Sequence, residues 1–113
     1  MKGSAIALLN DRVRRMLGFT PNPPGRVVMT RGVASLPADT LAELLQAVRT
    51  FDAWTTDNDP YGEHDFGRVD VAGERCFWKI DYYASAEMDA GSEDPADPQQ
   101  SYRLLTIMLA SEY

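Results

Sequence analysis

An α+β domain is predicted here: a mainly antiparallel sheet of about four strands, with two helices packed on one face. Two stretches, Ser4–Leu17 and Pro37–Trp54, repeat apolar residues at helical spacing. Three short stretches, Arg26–Thr30, Phe66–Ala72 and Arg75–Tyr83, are bounded by glycine or turn residues and read as strands. The last stretch, Tyr102–Ala110, is almost wholly apolar, as a central strand buried on both faces would be. The order helix, strand, helix, strand, strand, strand lacks the strict alternation of a doubly wound fold.

In Ser4–Leu17 the stripe is Ile6, Leu9, Val13, Met16 and Leu17. Ser4 is the expected N-cap and Gly18 the expected C-cap, and Asp11, Arg12, Arg14 and Arg15 fall on the polar face. Thr20–Gly25 (TPNPPG) cannot sustain regular hydrogen bonding and reads as a turn or short linker. In Pro37–Trp54 the stripe is Leu41, Leu44, Leu45, Val48 and Phe51, with Pro37 in the first turn and Glu43, Gln46 and Arg49 facing away. Asp39 sits at the positive end of that helix dipole.

The pair Phe66–Ala72 and Arg75–Tyr83 reads as a hairpin turning at Gly73-Glu74. Alternation puts Cys76, Trp78, Ile80 and Tyr82 on the core face, and Phe77, Lys79, Asp81 and Tyr83 on the other. Ala84–Gln100 contains five acids, no base, two prolines and a glycine, and reads as a loop.

At 113 residues, with 44% apolar and 25% charged residues, the chain is expected to be a single globular domain, 1–113. No run approaches the roughly 20 apolar residues that span a bilayer. The N-terminus turns polar at Asn10–Arg15 without a small-residue cleavage site, so no signal peptide is expected and the protein is expected to be cytoplasmic. The single cysteine excludes an internal disulfide. Charge is lopsided: residues 1–35 carry six bases against one acid, and residues 36–113 carry five bases against sixteen acids. The acidic part suits a basic protein partner and disfavours direct contact with phosphate, which needs a clustered basic face.

Thr55–Gly67 (TTDNDPYGEHDFG) holds the only histidine, so it draws most of the chemical hypotheses. As an EF-hand it offers Asp57, Asp59 and Gly62 at loop positions 1, 3 and 6. Arg68, however, stands where the bidentate glutamate is required, which excludes that motif. A transition metal would need more imidazole or thiolate than His64 with Asp57, Asp59, Glu63 or Asp65 supplies, because the alternation points Cys76 into the core. No metal and no cofactor are expected. Acid–base catalysis would use His64 with Glu63, Asp65 and Asp81, but no nucleophile accompanies them. The structural alternative is simpler: Asp57, Asn58 and Asp59 cap their own turns, and His64 bonds across the loop. Trp54 and Trp78 read as core aromatics, and Tyr82 and Tyr83 as interface anchors.

Several uncommon strings occur in order: Asn58–Gly67 (NDPYGEHDFG), Phe77–Tyr83 (FWKIDYY), Gly91–Asp97 (GSEDPAD) and Arg103–Tyr113 (RLLTIMLASEY). With Asn10–Arg15 and Gly25–Ala34, they resemble the pattern of a family of small, single-domain bacterial proteins of unknown function. The resemblance implies a stand-alone protein of this size, often associated with plasmids and other mobile elements. It transfers no catalytic residue.

The leading functional expectation is therefore a non-enzymatic, acidic protein-binding module. Its partner would be a basic surface on a nucleic-acid-handling or defence complex, of the CRISPR or restriction kind, which it would inhibit or regulate. The contact residues would be Glu87, Asp89, Glu93, Asp94 and Asp97, with Phe77 and Tyr83. The alternative is a small hydrolase or metal-assisted enzyme centred on His64, Glu63, Asp65 and Asp81. A homodimer through a free sheet edge is the further expectation.

Overall fold

A computed structural model describes residues 2–17 and 22–113, apart from the Lys2 side chain. The helices are α1 (Lys2–Arg15), α2 (Arg31–Ala34) and α3 (Ala38–Arg49). The strands are β1 (Gly25–Met29), β2 (Phe66–Val71), β3 (Glu74–Tyr83) and β4 (Tyr102–Leu109), and a 3-10 turn follows at Ala110–Glu112. The sheet runs β1-β4-β3-β2. β4 is parallel to β1 and antiparallel to β3, and β3 is antiparallel to β2. The sheet is thus mixed, mainly antiparallel, with the apolar Tyr102–Leu109 strand central as expected.

All the large inward side chains of the strands share one phase. Val69, Val71, Cys76, Trp78, Ile80, Leu105 and Ile107 form one buried cluster with Val13 of α1, Val33 of α2, and Leu44 and Val48 of α3. The helices therefore cover a single face. Each fully buried side chain of this size is worth about 1.5–3 kcal/mol relative to exposure. Gly67 stands opposite Trp78, and a Cβ there would lie 2.4 Å from the indole nitrogen. Glycine lets the indole lie across its neighbouring strand.

Several local expectations need correction. α1 begins at Lys2, so Ser4 lies inside the helix and is not its cap; Gly18 and Thr20 fall outside the described residues. α3 stops at Arg49, and Pro37 precedes it rather than filling its first turn. The hairpin turns at Ala72-Gly73, with φ of 49° and 80°, while Glu74 already belongs to β3. Two positive φ values match the right-handed twist of the flanking strands. β4 alternates in burial as far as Ile107, with Met108 of the second face also buried, instead of being buried on both faces throughout, because among the described residues no helix covers its second face. The short α2 follows β1 directly. There Gly32 admits the Glu112 carboxylate, which accepts hydrogen bonds from Thr30 Oγ1 (2.6 Å), the Leu109 amide (2.9 Å) and the Gly32 amide (2.9 Å). In that order these bonds hold the Glu112 carboxyl below its ordinary value.

Candidate functional site

The polar flank of α1 is the feature that sequence periodicity misassigns. Asn10 (0% exposed), Asp11 (9%) and Arg14 (1%) are buried, because the segment between α3 and β2 folds back over them. That segment is tied to itself first. The Asn58 side chain accepts from the Thr55 amide and donates to the Ala53 carbonyl, both at 2.9 Å. Asp59 accepts from the His64 amide at 2.9 Å. His64 adopts φ 57°, a left-handed backbone rare outside glycine, and this turns its ring toward α1.

The imidazole stacks on Trp54 with centroids 3.9 Å apart and planes 4° from parallel. Nδ1 lies 3.0 Å from Asp11 Oδ1, and Nε2 lies 3.6 Å from Asp59 Oδ2. Asp11 also accepts from Arg14 Nη2 at 2.8 Å, with Arg15 at 3.9 Å. Arg14 continues to the carbonyls of Val48 and Arg49, both at 3.0 Å. A guanidinium there meets the negative end of α3. It also lies 5.4 Å from the ring centroids of both Trp54 and Trp78.

A second branch runs to β4. Arg103, fully buried, donates to Asn10 Oδ1 (2.6 Å), Ser101 Oγ (2.7 Å) and the Pro95 carbonyl (2.5 Å). Burial pushes its pKa down to about 10 against the opposing pull of Tyr82 and Glu63, so it remains charged near neutrality. Asn10 Nδ2 donates to the Glu63 carbonyl (2.9 Å) and to the Tyr82 hydroxyl (2.8 Å), which donates to Glu63 Oε2 (3.2 Å). Burial raises the Tyr82 phenol well above its ordinary value, so it stays a neutral donor.

The predicted catalytic residues do not converge. His64 and Glu63 belong to this network. Asp65 contributes its carbonyl to the Ile80 amide (2.9 Å), and Asp81 pairs with Lys79 (3.1 Å) on the open sheet face. Cys76 is buried, and burial first, with nearby carboxylates second, pushes its thiol up. Among the described residues, no group of three or more His, Cys, Asp or Glu is placed to hold a metal ion. Asn10, Asp11, Arg14, Trp54 and Arg103 are the site members that sequence reasoning missed. One signal was available: Arg103 is the single charge at an inward phase of an otherwise apolar strand.

The Asp65 carboxyl is raised, chiefly by burial and then by Glu63, with Asp59 and Asp81 adding to it. A raised acid binds more protons folded than unfolded, so its contribution to stability falls as pH rises through that window. Asp65→Asn is therefore expected to raise the melting temperature at neutral pH and to lose that advantage in acid. Paired melts at the two pH values check it. Equal melting at neutral pH would mean that the carboxylate makes a compensating contact.

The predicted contact residues divide into two groups. Asp94 accepts from the Ala96 amide (3.3 Å) and Asp97 from the Gln99 amide (2.9 Å), so both serve as turn caps. Glu87, Asp89 and Glu93 are exposed, with no basic partner among the described residues. Phe77, on the open face, packs against Phe66 (5.4 Å) and Tyr113 (5.3 Å). Tyr83 ends β3 opposite Tyr102 and bridges to Gly91 of the acidic loop.

Fold and site together define a small α+β domain with one helical layer, one open sheet face, and a buried polar network joining α1 to the loop before β2. The chain belongs to the family described as protein of unknown function (DUF3768), which matches residues 29–112. No curated protein and no solved structure matches it. Among the described residues, no helix is long and apolar enough to cross a membrane.

Proposed function

We propose that this chain is a non-enzymatic protein-binding module whose β3–β4 loop engages a basic surface on a nucleic-acid-handling or defence protein. The observation that carries this reading is the fixed presentation of Glu87, Asp89 and Glu93. The loop is anchored from inside by Arg103 and from its ends by the Ser92 hydroxyl donating to the Gln100 carbonyl (2.7 Å) and by the Tyr83–Gly91 bridge. Three exposed carboxylates on a held loop keep little conformational freedom to lose on docking. The same charge repels phosphate, so the partner is a protein. A protein with a basic nucleic-acid channel offers the complementary field, and an inhibitor carried on a mobile element is the role that joins these features.

The triple variant Glu87→Gln, Asp89→Asn, Glu93→Gln is expected to keep the wild-type fold and melting temperature. It should lose, by roughly tenfold or more, its affinity for a partner that wild type releases at high salt. A partner held equally by both proteins, and at high salt, would sink this assignment.

A second reading is kept alive by one feature. His64 and Asp11 line an open cleft of about 340 Å³ between α1 and Gly62, and a carboxylate bonded to one imidazole nitrogen is the orienter–base geometry of acid–base catalysts. On the binding-module reading the imidazole is a structural latch, and His64→Ala should lose about 1–3 kcal/mol of stability. On the hydrolase reading the variant melts like wild type and abolishes an activity. Denaturant titration of this one variant separates the two.

A further inference from the structure

The sheet has two edge strands, β1 and β2. On β2 the phase of the ladder is set by the Ile80 amide donating to the Asp65 carbonyl at 2.9 Å. Alternation then turns the backbone groups of Gly67, Val69 and Val71 toward β3, and those of Phe66, Arg68 and Asp70 outward. Among the described residues nothing pairs with that outward row. The side chains of Arg68 and Asp70 are 50% and 55% exposed and bond to each other at 3.1 Å.

We propose that β2 is a self-association edge: it pairs antiparallel with β2 of a second copy about a two-fold axis at Val69, fusing the two sheets into one. The β2 edge is separate from the acidic loop, which lies between β3 and β4. Outward-facing residues must meet outward-facing residues, because only they carry free N–H and C=O groups. Centring on Val69 satisfies that condition. It sets Arg68 opposite Asp70 of the second copy, and Asp70 opposite its Arg68, and each such pair exchanges two N–H···O bonds. The neighbouring registers, centred on Arg68 or on Asp70, put like charges face to face at the axis, which is destabilising in a sheet. Charge therefore selects one register.

Packing agrees with it. On the helix-covered side Val69 meets Val69, and Val71 meets Gly67 with the Trp78 indole that lies across it, so apolar groups face apolar groups. The interface is isologous and closes at two copies. β1 offers no equivalent: its one charged residue is Arg26, which would find no opposite charge in a self-pair. Charges on an edge strand usually deter pairing; opposite signs two residues apart direct it instead.

The test needs no partner: the mass of the purified chain in solution is measured across micromolar to high-micromolar concentration. Wild type is expected to show a concentration-dependent dimer. Arg68→Asp leaves two negative charges on the edge and Asp70→Arg two positive ones, so each variant should weaken the dimer by roughly tenfold or more with unchanged circular dichroism. Mixing the two single variants should restore a dimer containing one of each, and the double variant R68D/D70R should dimerise alone. A wild type that stays monomeric throughout overturns the proposal. So do single variants that associate like wild type, or a mixture that fails to pair.

Discussion

Arg103→Met is expected to lower stability by about 3–5 kcal/mol, which for a chain of this size is a fall in melting temperature of roughly 10–25 °C. Methionine matches the length and apolar stem, so the loss isolates the guanidinium. Without it, Asn10 Oδ1, Ser101 Oγ and the Pro95 carbonyl lose their donor inside the protein. Unsatisfied buried acceptors of this kind cost about 1–3 kcal/mol each, moderated where the loop relaxes toward water. Arg103→Lys should rescue little, because a single ammonium cannot reach three acceptors in different directions. Calorimetric melting gives the answer, and a change under about 1 kcal/mol would show that α1 and the β3–β4 loop hold their places without this residue.

Asp11→Ala is expected to be of similar severity, about 3–5 kcal/mol, for a different reason. Arg14 is 1% exposed, and Asp11 is its carboxylate at 2.8 Å. Removing the acid strands a guanidinium between Trp54 and Trp78 with only the α3 carbonyls to receive it. It also releases the His64 ring from α1. Because the damage comes from the uncompensated charge, the double variant Asp11→Ala, Arg14→Met should be markedly less destabilised than the sum of its single changes. A strictly additive cycle in chemical denaturation would contradict the coupling.

The elements of the fold were legible because their signals are local. Leu41, Leu44, Leu45 and Val48 declare α3 by spacing alone, and Cys76, Trp78, Ile80 and Tyr82 declare the inward phase of β3. What was not legible is what happens when distant segments meet. Helical periodicity ranks Asp11 and Arg14 as solvent-facing because it compares α1 only with itself. Their burial depends on a loop that returns more than fifty residues later, since His64 and Asp11 are separated by 53 positions. Likewise, the parallel pairing of β1 with β4 joins the first strand to the last, and neither strand carries a mark of its partner. The capping of the His64 loop at Asn58 and Asp59 is local and legible in the sequence, whereas its docking surface on α1 is not.

The position of β4 has a consequence for the order in which the sheet assembles. It is the last strand in the sequence, yet it lies between β1 and β3 and supplies a hydrogen-bonding edge to both. Without it, β1 has no neighbour and the β2–β3 hairpin has only itself. Arg103, the residue that organises the acidic loop and α1, arrives on that same strand. Neither β1 nor the β2–β3 hairpin completes the sheet without β4, so the sheet cannot be built up strand by strand in chain order. The sheet is closed by a strand that enters its middle.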